Sequence, residues 1–149
     1  MSKKARAAVL VKPGLMEIRE FDLPQPEKGA ALCRVLSVGV CGTDKHSYRG
    51  ETVQYKGTEN EIDLPFPIIQ GHEIAMEIVA IDEEAAQNLS FDGDYLKVGD
   101  RITICPDVVC GKCWYCKNMP SYPWCEHLQF SYGNMRSCND GHHLNGGYA

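Results

Sequence analysis

Short apolar runs broken by turn residues dominate the first two thirds of the chain. Arg6–Val11 carries Ala7, Ala8, Val9, Leu10 and Val11, and Pro13-Gly14 follows. That predicts a strand closed by a turn. Met16-Glu17-Ile18-Arg19 alternates with period two, the mark of a half-buried strand. Leu23-Pro24-Gln25-Pro26 cannot be helical and reads as a connector. Ala30–Val40 is the next strand candidate, with Gly39 and Gly42 bracketing its end. Glu51–Pro67 is polar, ends in Leu64-Pro65-Phe66-Pro67, and reads as an exposed loop. Ile68-Ile69 precedes Gly71-His72-Glu73, and Ile74–Ile81 returns to a strand pattern. Asp82–Tyr95 is acidic and predicts a loop or short helical excursion on a solvated face. Val98-Gly99-Asp100-Arg101 predicts a tight turn into Ile102-Thr103-Ile104. No long window carries a 3.6-residue stripe, so the expectation is a mainly β rolled sheet or small barrel with short helices.

The chain has 149 residues, enough for one core. Its 15 Lys+Arg against 20 Asp+Glu give a formal charge of −5, which leaves no basic footprint for nucleic acid or anionic lipid. A bilayer span needs about 20 apolar residues, and Ala7–Val11 falls far short. Met1-Ser2-Lys3-Lys4 leads into a strand pattern rather than a secretory segment, which predicts a cytoplasmic protein. Thiols stay reduced there, so eight cysteines point to metal before disulfides.

Cys110, Cys113 and Cys116 form a C-x2-C-x2-C run, with Cys125 following after eight intervening residues. Four thiolates suit a tetrahedral zinc, and a site closed by four cysteines is structural. The lobe, about residues 105–130, has little regular patterning, and bound metal would supply the folding free energy it lacks. Trp114, Tyr115, Tyr122 and Trp124 are interleaved, and the tryptophans are expected to pack around it. Ferredoxin-type iron–sulfur runs also begin C-x2-C-x2-C, but they place the next cysteine after three residues, where this chain has Pro120. The remaining thiols read more plainly. Cys33 and Cys105 are expected to be structural, and Cys138 with His142 and His143 is a minor metal candidate set against a simple tail.

Cys41-Gly42-Thr43-Asp44-Lys45-His46 follows one predicted strand, and Gly71-His72-Glu73 precedes another. Cysteine, histidine and carboxylate are the donor set of a catalytic zinc with an open position. On residue types alone a buried cysteine and a hydrogen-bonded His-Glu turn remain open.

These motifs, followed in order by Val98-Gly99-Asp100-Arg101, the four-cysteine run and Gly146-Gly147-Tyr148-Ala149, resemble the zinc-dependent alcohol dehydrogenases of the medium-chain dehydrogenase/reductase superfamily. The resemblance implies a GroES-like catalytic barrel spanning 1–149 and carrying a four-cysteine zinc lobe. It implies oxidation of an alcohol or polyol to aldehyde or ketone by hydride transfer to NAD or NADP, with zinc as Lewis acid. It places Cys41 and His72 on the catalytic zinc, and Glu73 as a carboxylate the family either ligates or holds just outside the ligands. It makes Thr43 the hydroxyl at the substrate oxygen and His46 a proton-relay residue. Cys110, Cys113, Cys116 and Cys125 match the structural zinc. It implies a full-length protein that is a homo-oligomer and carries a following Rossmann domain. No G-x-G-x-x-G occurs here. The chain is therefore expected to be the N-terminal catalytic domain, inactive alone, with a weakly filled catalytic zinc or a gap filled by Glu73, water or a neighbouring molecule. The alternative is a non-catalytic zinc-stabilised binding or assembly module.

Overall fold

The computed structural model describes residues 4–59, 61–119, 124–141 and 144–149. In chain order it comprises β1 (Lys4–Lys12), β2 (Leu15–Asp22), β3 (Ala31–Val38), α1 (Gly42–Arg49), β4 (Val53–Gln54), β5 (Ile62–Asp63), β6 (Ile68–Ile69) and β7 (Ile74–Ile81). Then come α2 (Glu83–Asn88), β8 (Ser90–Phe91), β9 (Asp94–Tyr95), β10 (Arg101–Ile102), β11 (Asp107–Val108), α3 (Trp114–Asn118) and β12 (Phe130–Ser131). The long strands fall where the apolar runs predict them, and the helices are short.

Two antiparallel three-stranded sheets form the frame, ordered β2-β1-β6 and β10-β7-β3. In β7 the apolar alternation is followed closely: Ile74, Met76 and Ile78 are buried, while Ala75 and Val79 are exposed. β1 departs from simple alternation because Val9 and Leu10 are both fully buried. Val9 packs with Ala7, Ile69 and Cys138, and Leu10 with Leu64 and Ile68, so the middle of β1 is covered on both faces. β2 alternates in sequence but lies at the sheet edge, and Ile18 is 62% exposed.

Two stretches with loop-like composition are tied down. The Glu51–Pro67 loop contains the β4–β5 pair and contributes buried Leu64 to the core. Residues 144–149 carry no regular element, yet Tyr148 N–H donates to Gln70 C=O at 3.0 Å and Tyr148 C=O accepts from Ala8 N–H at 2.8 Å. The segment thus lies between β1 and the chain after β6. A side chain at Gly146 would collide with the carbonyls of Ile69 and Gln70, which explains glycine at that crossing. Asp82 caps α2 by accepting Glu84 N–H at 3.0 Å, and it also accepts Gly29 N–H at 2.8 Å. These bonds, Gly29 first, hold its carboxyl below the usual range.

Leu10 is fully buried in the second cluster, so Leu10→Ala is expected to cost about 2–5 kcal/mol in urea unfolding with an unchanged slope. Ile18→Ala on the exposed edge is expected to stay within about 0.5 kcal/mol. A loss below about 1 kcal/mol for Leu10→Ala would contradict the two-faced burial of β1.

Candidate active site and metal centres

The cysteine lobe is built by turns rather than by a core. Gly111 takes φ +69°, which lets the chain double back between Cys110 and Cys113. Cys113 N–H points at Cys110 Sγ (3.4 Å), Cys116 N–H at Cys113 Sγ (3.5 Å), and Cys110 N–H at Cys125 Sγ (3.3 Å). All four sulfurs lie within 4.8 Å of one another. Around one zinc at Zn–S of about 2.3 Å, a tetrahedral edge is about 3.8 Å. The Cys110 and Cys116 sulfurs are 3.9 Å apart, close to that edge, so the cluster is of the size a single ion needs. A polynuclear cluster would hold its sulfurs farther apart. Backbone N–H groups, that of Lys112 first, pull Cys110 down to about 6, and backbone N–H groups lower Cys113 as well. Cys116 is pushed up to about 12, first by burial and then by its sulfur neighbours. Trp114 stacks edge-on against Tyr115 at 5.2 Å, but Trp114 and Trp124 are each more than half exposed rather than packed around the sulfurs. Tyr122 lies outside the described residues.

The second constellation is assembled by α1 and the turn after β6. The residue types at 41–46 carry no helical stripe, yet Gly42–Arg49 is a helix with Cys41 as its N-terminal cap residue. Asp44, 5% exposed, accepts Cys41 N–H at Oδ2 (2.9 Å) and Gly71 N–H at Oδ1 (3.3 Å). Gln70 Nε2 donates to Asp44 C=O at 3.3 Å. Gly71 stands at φ +91°, where a Cβ would also strike Val38 and Tyr148. The turn delivers His72 so that its Nε2 lies 3.4 Å from Cys41 Sγ. For one sulfur and one nitrogen on a tetrahedral zinc the expected separation is about 3.6 Å. His72 Nδ1 is buried and has no hydrogen-bond partner among the described residues.

The ligand atoms within 4.8 Å of one another come from Cys41, Asp44 and His72. Glu73 is not among them; its carboxylate lies against Gly39, whose N–H donates to Glu73 C=O at 2.8 Å. Both Asp44 oxygens are engaged by backbone donors, which makes it the brace of the pair. Tyr148 is pushed up to about 12, by burial first and then by the Asp44 charge.

A cleft of about 540 Å³ opens beside His72. Thr43 and His46, three residues apart on one helix face, line it together with Glu51, Asp107 and Asn134. His46 Nδ1 lies 2.7 Å from a Glu51 carboxylate oxygen. Asp107 is hydrogen-bonded by Ser131 Oγ, and burial pushes its carboxyl up against the opposing pull of His72. Asp44 and Glu51 do not stand out by residue type. A carboxylate three residues after a helix cap is the usual local signal for a residue such as Asp44, but it needs α1 to be recognised first, and Glu51 carries no such signal. Of the other thiols, Cys33 is half-buried with its pKa raised by burial, Cys105 is exposed and Cys138 sits in the core. His142 and His143, the candidate partners of Cys138, lie outside the described residues.

This chain belongs to the alcohol dehydrogenase GroES-like domain family, whose pattern matches residues 27–149. It is 35% identical over 120 residues to an L-threonine 3-dehydrogenase of Thermococcus kodakarensis, covering 79% of this chain and 30% of that protein. It is 33% identical over 125 residues to a sorbitol dehydrogenase of Bacillus subtilis, covering 84% and 31%. The crystal structure of an alcohol dehydrogenase from Thermotoga maritima superposes with a TM-score of 0.78 at 34% identity, covering 97% of this chain and 36% of that one. The chain therefore spans about a third of the length of these relatives. The mainly β, GroES-like fold expected from the sequence is the one observed. Among the described residues no helix is long and apolar enough to cross a membrane.

At pH 7 the metal-free lobe keeps a proton on Cys116, held near 12, while Cys110, near 6, is largely thiolate. Zinc added to the chelator-stripped chain in weak buffer is therefore expected to release at least about one proton per ion bound. Zinc uptake without proton release would contradict this sulfur arrangement.

Proposed function

We propose that this chain is the zinc-binding catalytic domain of an NAD(P)-dependent alcohol dehydrogenase. The observation that carries the reading is the 3.4 Å approach of Cys41 Sγ to His72 Nε2, beside a cleft lined by Thr43 and His46. Cys41 and His72 would hold a catalytic zinc, with Glu73 outside the converging donors, and Cys110, Cys113, Cys116 and Cys125 would hold a structural one. Zinc bound by Cys41 and His72 supplies Lewis acidity to the alcohol oxygen. A nicotinamide dinucleotide supplies the hydride acceptor, and its binding falls to residues outside this stretch.

The chain's own residues handle substrate and proton. Thr43 Oγ orients the substrate hydroxyl, accepts its proton and passes on its own. His46 takes that proton at the cleft wall and gives it up to solvent, its side chain being 57% exposed. The names of the relatives, L-threonine and sorbitol dehydrogenases, support a small alcohol or polyol as substrate. We place the protein in the cytoplasm as a homo-oligomer. A purely structural zinc module would need neither the Thr43–His46 face nor an incomplete donor set beside it.

Zinc titration of the stripped chain tests the reading. Two classes of site are expected, the weaker one absent from Cys41→Ser and the tighter one from Cys110→Ser. The same zinc uptake by Cys41→Ser as by the unaltered chain would sink it. In the dehydrogenase that carries this domain, Thr43→Ala is expected to lower kcat by about 10²-fold, while residues 1–149 alone give no NAD(P)-dependent alcohol oxidation.

A further inference from the structure

His46 sits on the last turn of α1, and its ring is in contact with an acid that belongs to the next segment. α1 ends at Gly50, which takes φ +98°. Gly50 N–H donates to Ser47 C=O at 3.2 Å, and Glu51 N–H donates to His46 C=O at 3.0 Å. That pair of bonds is the glycine-stopped helix terminus in which the chain folds back over the last turn. Its consequence is positional. Glu51 is anchored by its own backbone to the residue whose side chain it meets, and its carboxylate lies 2.7 Å from His46 Nδ1.

The chemistry of that contact fixes the ring. An ionised carboxylate has only lone pairs to offer, so a 2.7 Å N···O contact requires the proton on Nδ1. The neutral imidazole then carries its lone pair on Nε2. His46 lines the cleft with Thr43 one turn away on the same helix face. Glu51 lines the cleft too, so the pair forms part of its wall rather than a remote surface contact. Stability gives no reason for the pair. The two side chains are 57% and 63% exposed, and an exposed ion pair adds little.

We propose that Glu51 is a positioning residue for proton transfer: its carboxylate holds His46 as the Nδ1–H tautomer, leaving Nε2 as the base that takes up the proton released into the cleft on the Thr43 side. This rests on the reading of the cleft as an alcohol-oxidising site. The step balances. The substrate O–H bond breaks as its proton moves to Thr43 Oγ, Thr43 gives up its own proton to hydroxyl or water hydrogen bonds in the cleft, that chain delivers a proton to His46 Nε2, and the imidazolium so formed is stabilised by the Glu51 charge. Water on the exposed side then takes the proton, restoring the neutral ring.

Nitrogen-15 NMR of the zinc-loaded chain reads the tautomer directly. Neutral His46 is expected as Nδ1–H in the unaltered chain and in Glu51→Gln, whose amide oxygen still accepts. In Glu51→Ala the Nε2–H form is expected to become the major one, with the rest of the amide spectrum unchanged. An Nε2–H ring in the unaltered chain, or the same tautomer in Glu51→Ala, overturns the proposal. This readout needs no turnover, so it decides on Glu51 separately from the alcohol dehydrogenase reading, which stands or falls on zinc binding at Cys41. In the active dehydrogenase Glu51→Ala is expected to lower kcat about tenfold with KM little changed, a fraction of what a positioned acid–base group contributes. Added imidazole should restore part of that loss. A kcat unchanged by Glu51→Ala would also overturn the proposal.

Discussion

A single buried carboxylate sets the geometry of the candidate active site. Asp44 ties the first N–H of the α1 cap to the N–H of the turn after β6. Hydrogen bonds to a charged acceptor contribute about 1.5–3 kcal/mol each, and both donors here are backbone. They cannot swing aside as side chains would. Cys41 is one of the bonded residues and His72 directly follows the other, so the approach of sulfur to nitrogen follows from the paths of two main chains. Losing this brace would separate the donors before it changed their identity.

The turn at residue 71 is constrained from three sides at once. Its N–H goes to Asp44, its C=O accepts Gly147 N–H at 2.8 Å, and any Cβ would meet Val38 and Tyr148. Its φ of +91° independently favours glycine. The 144–149 segment is therefore part of the same construction, because it packs against the turn that carries His72 while pairing with β1. Core and site share this seam. Tyr148 packs against the apolar cluster around Val9, and its hydroxyl also feels the Asp44 charge.

What could be read from the sequence divides along the range of the interactions involved. β1, β3 and β7 were legible because long apolar runs encode them locally. The cysteine lobe was legible because a C-x2-C step specifies its own turn. Helix α1 was not: its eight residues have only Asp44 and Ser47 buried, so no apolar stripe marks it. β2 was legible as a strand but not as an edge, since alternation cannot say which strand has no neighbour on one side. The polar, glycine-rich end of the chain has no period to mark it as packed, because the fold uses its glycines for close approach, as Gly146 does against the carbonyls of Ile69 and Gln70. Glu73 illustrates the same limit. Its neighbour His72 is delivered to Cys41, whereas its own carboxylate is carried over Gly39 by the alternation of a strand start.

Number of donors, more than residue type, separates the two candidate centres. In the lobe, each turn aims a backbone N–H at a sulfur already pointing inward, and four thiols converge. Such a set is complete and has no position left for a substrate. Among the described residues, Cys41 meets one imidazole and a brace whose oxygens already accept backbone hydrogen bonds. An open position is what distinguishes a catalytic zinc site in general from a structural one. Cys138, the same residue type, is packed with Ala7 and Val9 in the first cluster and serves as a small apolar filler. One amino acid thus stands in three different settings in this fold, each fixed by what the backbone brings within reach of the sulfur.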